Sequence, residues 1–130
     1  MKPTPLFERL AVLGLGLIGG SLAGAVRSRG LAKAVVGYDH NEQARRVARA
    51  RELVGQTVSS AAAAATGADL VVLAVPLGSM SQVAQEATPG LGSQALVTDV
   101  GSVKAQLVEE LGQVLPPGQP YIPGHPMAGS

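Results

Sequence analysis

The sequence predicts an α/β fold, a single domain built as a doubly wound parallel sheet, and three observations carry that expectation. Apolar runs that read as strands alternate along the chain with stretches whose apolar residues recur at helical spacing. The clearest run, Ala68-Asp69-Leu70-Val71-Val72-Leu73-Ala74-Val75, is apolar almost throughout, as a strand buried on both faces must be. The first run, Leu10-Ala11-Val12-Leu13, passes through glycines at 14, 16 and 19 into a helical pattern, which is a strand–turn–helix junction. At 130 residues, the chain suits one domain with a real core rather than two.

Each element follows from its own residues. After the glycine turn, Ile18, Leu22, Ala25 and Val26 have the spacing of a helix's inner face. Ala34-Val35-Val36-Gly37-Tyr38-Asp39 reads as the second strand. Ala44, Val47, Ala48 and Ala50 suit the inner face of a helix opening near Asn41, with Gly55 placed to end it. Thr57-Val58 reads as a short strand. The five alanines at 61–65 read as a short helix rather than low complexity, capped by Ser59 or Ser60 and ended at Gly67. Pro76 stops the long apolar strand. A helix over 79–87 turns Met80, Val83, Ala84 and Ala87 inward, and Pro89-Gly90 with Gly92 makes the next turn. Ala95-Leu96-Val97-Thr98-Asp99-Val100 reads as the fifth strand. The following helix, over 102–114, buries Val103, Leu107, Val108 and Leu111. Pro116-Pro117-Gly118 then forms a loop before a short sixth strand at Tyr121-Ile122-Pro123.

Bulk properties exclude several classes of function. A formal net charge of +1 creates no field that would recruit nucleic acid or an anionic membrane. Aromatic residues are 2% of the chain, which removes the usual base-stacking platforms. The absence of cysteine removes disulfides, a thiolate nucleophile and zinc–thiolate sites, and it fits a reducing, cytoplasmic setting. Residues 1–10 lack the apolar stretch of a signal peptide, and no segment has the length of a membrane span. The two histidines lack partners at metal-ligand spacing, so no metal site is expected.

The glycine turn indicates a ligand class. Missing side chains at Gly14, Gly16 and Gly19 let a pyrophosphate approach the backbone, and the helix start at Leu17 and Ile18 offers amide donors and positive potential. Glycine-rich turns also serve plain close packing, so the pattern needs its second half. Asp39 supplies it, a carboxylate twenty residues beyond Gly19 at the end of the next strand, where an acid accepts hydrogen bonds from adenosine ribose hydroxyls. Asp39 can also serve as a turn or capping residue ahead of the helix near Asn41, and the two roles are compatible. Together these features predict a Rossmann-type dinucleotide-binding fold. A carboxylate at Asp39 repels a 2′-phosphate, so NAD is expected over NADP. Arg45 and Arg46, a turn further on, read as a solvated helix face that leaves NADP open.

A ligand crevice in such a sheet lies beyond the carboxyl ends of its strands. Val75-Pro76, 98–102 and Gly124-His125-Pro126 fall there. His125 combines a loop position at that edge with a ring that accepts a proton near neutral pH, although a loop histidine is commonly structural or simply solvated. Ser102 follows Gly101 and can cap the helix or present its hydroxyl to the crevice. Lys104 reads as a solvated first-turn residue able to assist a carboxylate ligand, and Asp99 as a cap or local hydrogen-bond acceptor. Nothing in the sequence gives His40 a role of its own.

Four segments together resemble prephenate dehydrogenases. They are Gly14-Leu15-Gly16-Leu17-Ile18-Gly19-Gly20-Ser21-Leu22-Ala23, Ala74-Val75-Pro76-Leu77, Thr98-Asp99-Val100-Gly101-Ser102-Val103-Lys104, and Gly124-His125-Pro126-Met127-Ala128-Gly129-Ser130. The likeness spans essentially the whole chain, and the last two segments are far more specific than the glycine fingerprint. The resemblance implies oxidative decarboxylation of prephenate to 4-hydroxyphenylpyruvate in tyrosine biosynthesis, with hydride passing to NAD. It implies that His125 withdraws the ring hydroxyl's proton and that Ser102 supports that histidine, while Gly14, Gly16, Leu17, Ile18, Gly19, Asp39, Val75 and Pro76 hold the cofactor. A base that accepts the hydroxyl proton as carbonyl character builds would lower the barrier, so the chemistry and the resemblance agree.

The family continues into a helical second domain that completes the substrate pocket, supplies an arginine for a substrate carboxylate and forms a homodimer. This sequence ends at Ser130, where that region is expected to begin, and it lacks the acidic residue usual after the motif. Residues 1–130 are therefore expected to be a dinucleotide-binding domain that keeps cofactor affinity but turns over little substrate alone. Arogenate is a close alternative substrate. A β-hydroxyacid dehydrogenase is a second alternative, but such enzymes rely on a lysine in a later helical domain, and the Gly-His-Pro-Met-Ala-Gly-Ser ending speaks against it. A non-catalytic dinucleotide-binding module is the alternative of another class.

Overall fold

A computed structural model describes residues 4–100 and 104–124, with the side chains of 104–106 left aside. The elements run β1 (Phe7–Leu13), α1 (Leu17–Ser28), β2 (Ala32–Tyr38), α2 (Glu42–Ala50), β3 (Gln56–Val58), α3 (Ala61–Ala65), β4 (Leu70–Leu73), α4 (Met80–Ala87), β5 (Leu96–Asp99), α5 (Lys104–Val114) and β6 (Tyr121–Ile122). Short 3-10 turns at Leu77–Ser79 and Thr88–Gly90 flank α4. All six strands are parallel, in the order β3-β2-β1-β4-β5-β6. The chain therefore steps outward from β1 in one direction, then returns to β1's other side with β4. Between β1 and β4 the direction of winding reverses, and there the crevice of a doubly wound sheet opens.

Period-2 alternation sorts the strand residues onto two faces. Ala11, Leu13, Val36, Tyr38, Val71, Leu73 and Val97 pack beneath α3, α4 and α5. Leu10, Val12, Val35 and Val72 pack beneath α1 and α2 with Ala23, Val26 and Ala48. Small residues at Ala61, Ala64, Ala65, Ala84 and Ala87 let α3 and α4 lie close together on their face. The sheet, buried on both sides, holds β1 and β4 rigidly at the center, and this rigidity positions their carboxyl ends.

The structure revises several helix faces. In α1, the buried residues are Gly19, Gly20, Ala23 and Val26, whereas Ile18 is 60% exposed and Ala25 lies outward. The helix approaches its neighbors through its glycines: a Cβ at Gly24 would stand 2.9 Å from the Leu53 side chain. In α2 only Ala48 is buried, and Val47 and Ala50 face solvent, because a helix over the sheet's outer part has a narrow contact stripe. Gly55 does not end α2. The helix stops at Ala50, and Glu52 takes the left-handed conformation (φ 57°), with its carbonyl accepting from Arg27 Nη1 at 2.7 Å. In α5, Leu107 and Leu111 are buried as expected, but Val108 is partly exposed; Val103 lies outside the described residues. Met80, Val83, Ala84 and Ala87 are all buried, and Ser60 rather than Ser59 caps α3, its hydroxyl accepting from Ala63 N.

Candidate functional site

Backbone meeting backbone shapes the turn between β1 and α1. Gly14 has φ 114°, a conformation that L side chains rarely adopt, and its N–H donates to the Tyr38 carbonyl at 2.7 Å. A Cβ there would stand 2.6–2.7 Å from the peptide joining Ala74 and Val75, so the turn presses directly on the end of β4. Gly19 closes the turn from behind, where a Cβ would stand only 1.8 Å from the Gly14 carbonyl oxygen. Gly16 is different. Nothing lies within 4 Å of the place its Cβ would take, and it caps α1 with no side-chain hydrogen bond and no acidic residue in the first turn. That leaves an open, positively polarized helix start for an anion to approach.

Asp39 stands immediately after β2 and braces this turn. Its Oδ2 accepts from Leu15 N at 2.8 Å and its Oδ1 from Asn41 N at 2.9 Å. Asn41, not Asp39, caps α2, with Oδ1 accepting from Gln43 N and Ala44 N. A carboxylate has about four acceptor positions, so two amides leave capacity for a ligand hydroxyl. Arg45 Nη1 donates to the Asp39 carbonyl at 2.6 Å, and Arg46 pairs with Glu42 at 2.7 Å on the exposed helix face.

These strand ends enclose a cavity of about 750 Å³, lined by Gly14, Gly16, Leu17, Ile18, Asp39, Val75 and Pro76 among others. Of the residues expected to hold a cofactor, only Gly19 is not on the wall; it lies behind Gly14 as packing. The outward exposure of Leu17 (87%) and Ile18 now has a cause, because both face this cavity rather than a helix neighbor. β4 ends at Leu73, and Ala74 N donates to the Leu13 carbonyl as Val75 leaves the ladder for the rim.

Sequence reasoning missed part of the wall. Beside Val100, which was expected at this edge, the cavity is lined by Tyr38, Leu77, Ser79, Met80 and His40, which had no assigned role. Its ring meets Tyr38 edge-on at 5.4 Å and its Nε2 lies 3.1 Å from Glu86 Oε1 on α4. Burial first, and then the charge of Glu86, raises the Tyr38 phenol above its ordinary range. The usable signal was position: Tyr38 ends β2, His40 comes just after it, and Leu77, Ser79 and Met80 come after β4.

At the other side of the crevice, Asp99 is 1% exposed and its Oδ2 accepts from Tyr121 Oη at 2.5 Å. Burial and that hydrogen bond push the Tyr121 phenol far above its usual range. Asp99 thus acts as a buried partner for β6, a role that its sequence position did not reveal. A Cβ on Gly124 would stand 1.9 Å from the Asp99 carbonyl oxygen, so the chain leaves β6 tight against the end of β5. Ser102 and His125 lie outside the described residues. Among the described residues no cluster of metal-ligating side chains occurs, and no helix is long and apolar enough to cross a membrane.

Comparison with known proteins agrees with this geometry. Cyclohexadienyl dehydrogenase of Zymomonas mobilis is 37% identical over 125 residues, covering 96% of this chain and 42% of that protein. The structure of prephenate dehydrogenase from A. aeolicus in complex with hydroxyphenyl propionate and NAD+ superposes with a TM-score of 0.83 at 30% identity, covering 95% of this chain and 43% of that one. Synechocystis arogenate dehydrogenase superposes with a TM-score of 0.82 at 33% identity, covering 94% and 42%. The chain thus spans under half the length of these relatives. The family model described as prephenate dehydrogenase, nucleotide-binding domain, matches residues 22–130, and the chain belongs to that family.

Proposed function

We propose that this domain binds NAD in the crevice between β1 and β4 and serves an enzyme that converts prephenate to 4-hydroxyphenylpyruvate in tyrosine biosynthesis. The observation that carries the reading is the contrast within the glycine turn: Gly14 and Gly19 are filled by backbone, whereas Gly16 stands open at an uncapped helix start. A pyrophosphate needs such an opening. Asp39 supports NAD over NADP, since its carboxylate is fixed by two amides and would meet a 2′-phosphate with like charge. NAD supplies the hydride acceptor. In the reaction, hydride leaves the carbinol carbon and His125 accepts the hydroxyl proton. The bond to the ring carboxylate then breaks, its electrons aromatize the ring, carbon dioxide departs, and the resulting phenolate oxygen takes back the proton from His125. Ser102 supports His125 and the hydroxyl. Two features favor this placement: Val100 lines the cavity one residue past β5, and Gly124 rests on Asp99 one residue before His125. Arogenate is the alternative substrate, favored by the likeness to the Synechocystis enzyme. A cytoplasmic setting and a homodimer formed through a further helical region complete the reading.

Calorimetric titration of the 130-residue chain with NAD and NADP tests the binding half, with NAD expected to bind at least tenfold more tightly, about 1.4 kcal/mol. Steady-state assay of this chain with prephenate and NAD should show little or no turnover. In the complete polypeptide that carries this domain, His125→Asn should lower kcat by about 10²–10⁴-fold with NAD affinity nearly unchanged. Unchanged turnover in that variant would overturn the catalytic assignment, and a complete polypeptide that binds NAD but never turns over is a sensor module.

A further inference from the structure

We infer that the Tyr38 hydroxyl reads the base of the dinucleotide, accepting a hydrogen bond from the exocyclic amine of adenine, and so selects an aminopurine at this end of the crevice. The inference rests on the functional reading above, in which Asp39 meets the adenosine ribose.

Tyr38 is the last residue of β2 and is 5% exposed, its ring packed in the apolar cluster beneath α3, α4 and α5. A buried phenol ordinarily finds a hydrogen-bond partner. Among the described residues the Tyr38 hydroxyl has none. Nor is it sealed in, since Arg9 Nε is the only fully buried side-chain polar atom without a partner among those residues. The hydroxyl therefore opens onto free space, and the space that Tyr38 lines is the cavity.

The surroundings suit a base. Tyr38 and His40 flank Asp39 in the chain, and the base lies one glycosidic bond from the ribose that Asp39 would hold. Val75, Leu77 and Met80 supply an apolar wall on the β4 side, and the His40 ring stands edge-on to Tyr38 at 5.4 Å. A flat ring with apolar faces and a polar edge matches a pocket of mostly apolar walls with a few polar groups.

Charge gives the hydroxyl a direction. Burial and then Glu86 raise the Tyr38 phenol against the pull of Arg45, so it keeps its proton near neutral pH. Glu86 lies on α4 and not on the cavity wall, and Arg45 is held by the Asp39 and His40 carbonyls. The Glu86 charge draws the hydroxyl's hydrogen toward α4 and leaves an oxygen lone pair for the cavity. The N6 amine of adenine donates to that lone pair. Hypoxanthine, with a carbonyl at the same ring position, would meet it oxygen to oxygen.

The test is calorimetric titration of the 130-residue chain with NAD and with nicotinamide hypoxanthine dinucleotide, which differ only along that edge of the base. The parent should prefer NAD by at least about fivefold. Tyr38→Phe should bring the two within about twofold, chiefly by weakening NAD, with a nearly unchanged denaturant midpoint because the hydroxyl has no partner in the chain. Gly16→Ala, which obstructs the phosphates, should weaken both by a similar factor and keep the preference. Glu86→Gln frees the hydroxyl to turn, so the hypoxanthine dinucleotide should gain about threefold while NAD holds. Should Tyr38→Phe not fold, that gain decides. A preference that is absent from the parent, or that survives in Tyr38→Phe, overturns this inference and leaves NAD binding in place. If NAD does not bind the parent at all, the functional reading falls and this inference falls with it.

Discussion

The two ends of the crevice are built in opposite ways. At the β1–β2 end, side chains are missing where backbone presses on backbone, and the principal polar group, Asp39, is only partly buried and bonded to main-chain amides. At the β5–β6 end, a carboxylate is sunk into the sheet and matched by a phenol from the neighboring strand. The first arrangement suits a ligand recognized through its phosphates, because amide donors need no side-chain ordering to meet it. The second suits groups that must be held at a set angle to one another. Substitutions at the two ends should therefore fail differently, one set through steric exclusion and the other through lost alignment.

The largest effect is expected within the glycine turn, and it separates packing from recognition. Gly14→Ala adds a methyl 2.6 Å from a backbone carbon in a conformation that alanine rarely adopts. It should destabilize the domain by about 3–5 kcal/mol in chemical denaturation. Gly16→Ala adds the same methyl to open space at a backbone conformation alanine accepts (φ −73°, ψ −161°). Its stability should stay within about 0.5 kcal/mol of the parent, while NAD affinity falls by about tenfold or more because the methyl stands where a phosphate must approach. Equal effects on stability at the two glycines would erase the distinction between a filled and an open position.

Most of this architecture was legible from local signals, and the gaps have physical causes. Apolar runs and glycine or proline stops mark β1, β2, β4 and β5 because burial on both faces favors apolar side chains along most of each strand. The contact stripes of α1 and α2 were less legible. An apolar residue at the start of α1 is as consistent with a ligand cavity as with the core, and Leu17 and Ile18 belong to the cavity. Glu52 ends α2 in a conformation usually read from glycine, which the pattern around Gly55 could not reveal. Asp39 was legible because strand, turn and spacing converge on it. Asp99–Tyr121 was not, since the pairing of β5 with β6 lies in the tertiary structure and twenty-two residues separate the partners.

An intermediate effect should appear at high pH. Both Tyr38 and Tyr121 have phenols raised above the ordinary value of 10, the first mainly by burial, the second by burial and by Asp99. A raised acid keeps its proton in the folded state after the unfolded chain has lost it, so the stabilization is fully present below pH 10 and is lost as the pH climbs through and beyond 10. Denaturant midpoints measured from pH 8 to 11 should be flat at first and then fall. Tyr121→Phe should make that fall shallower, leaving the part due to Tyr38. An unchanged slope in the variant would show that Tyr121 ionizes as freely in the folded chain as in the unfolded one.

The smallest effect is expected at the cavity's own rim, where another polar pair offers a control for the buried one. His40 Nε2 and Glu86 Oε1 are 3.1 Å apart, yet both side chains are more than a third exposed (54% and 39%). Solvent screens such a pair, so Glu86→Gln should change stability by less than about 1 kcal/mol. The charge of Glu86 is also one of the causes raising the Tyr38 phenol, so the substitution should move that phenol back toward its ordinary range. NAD affinity should stay within about twofold, because Glu86 sits on α4 outside the cavity wall and its bond to the exposed His40 ring is screened by solvent. A loss of affinity approaching that of Gly16→Ala would mean that the rim pair, exposed as it is, helps to shape the wall, and the contrast between the two ends would then be one of burial alone.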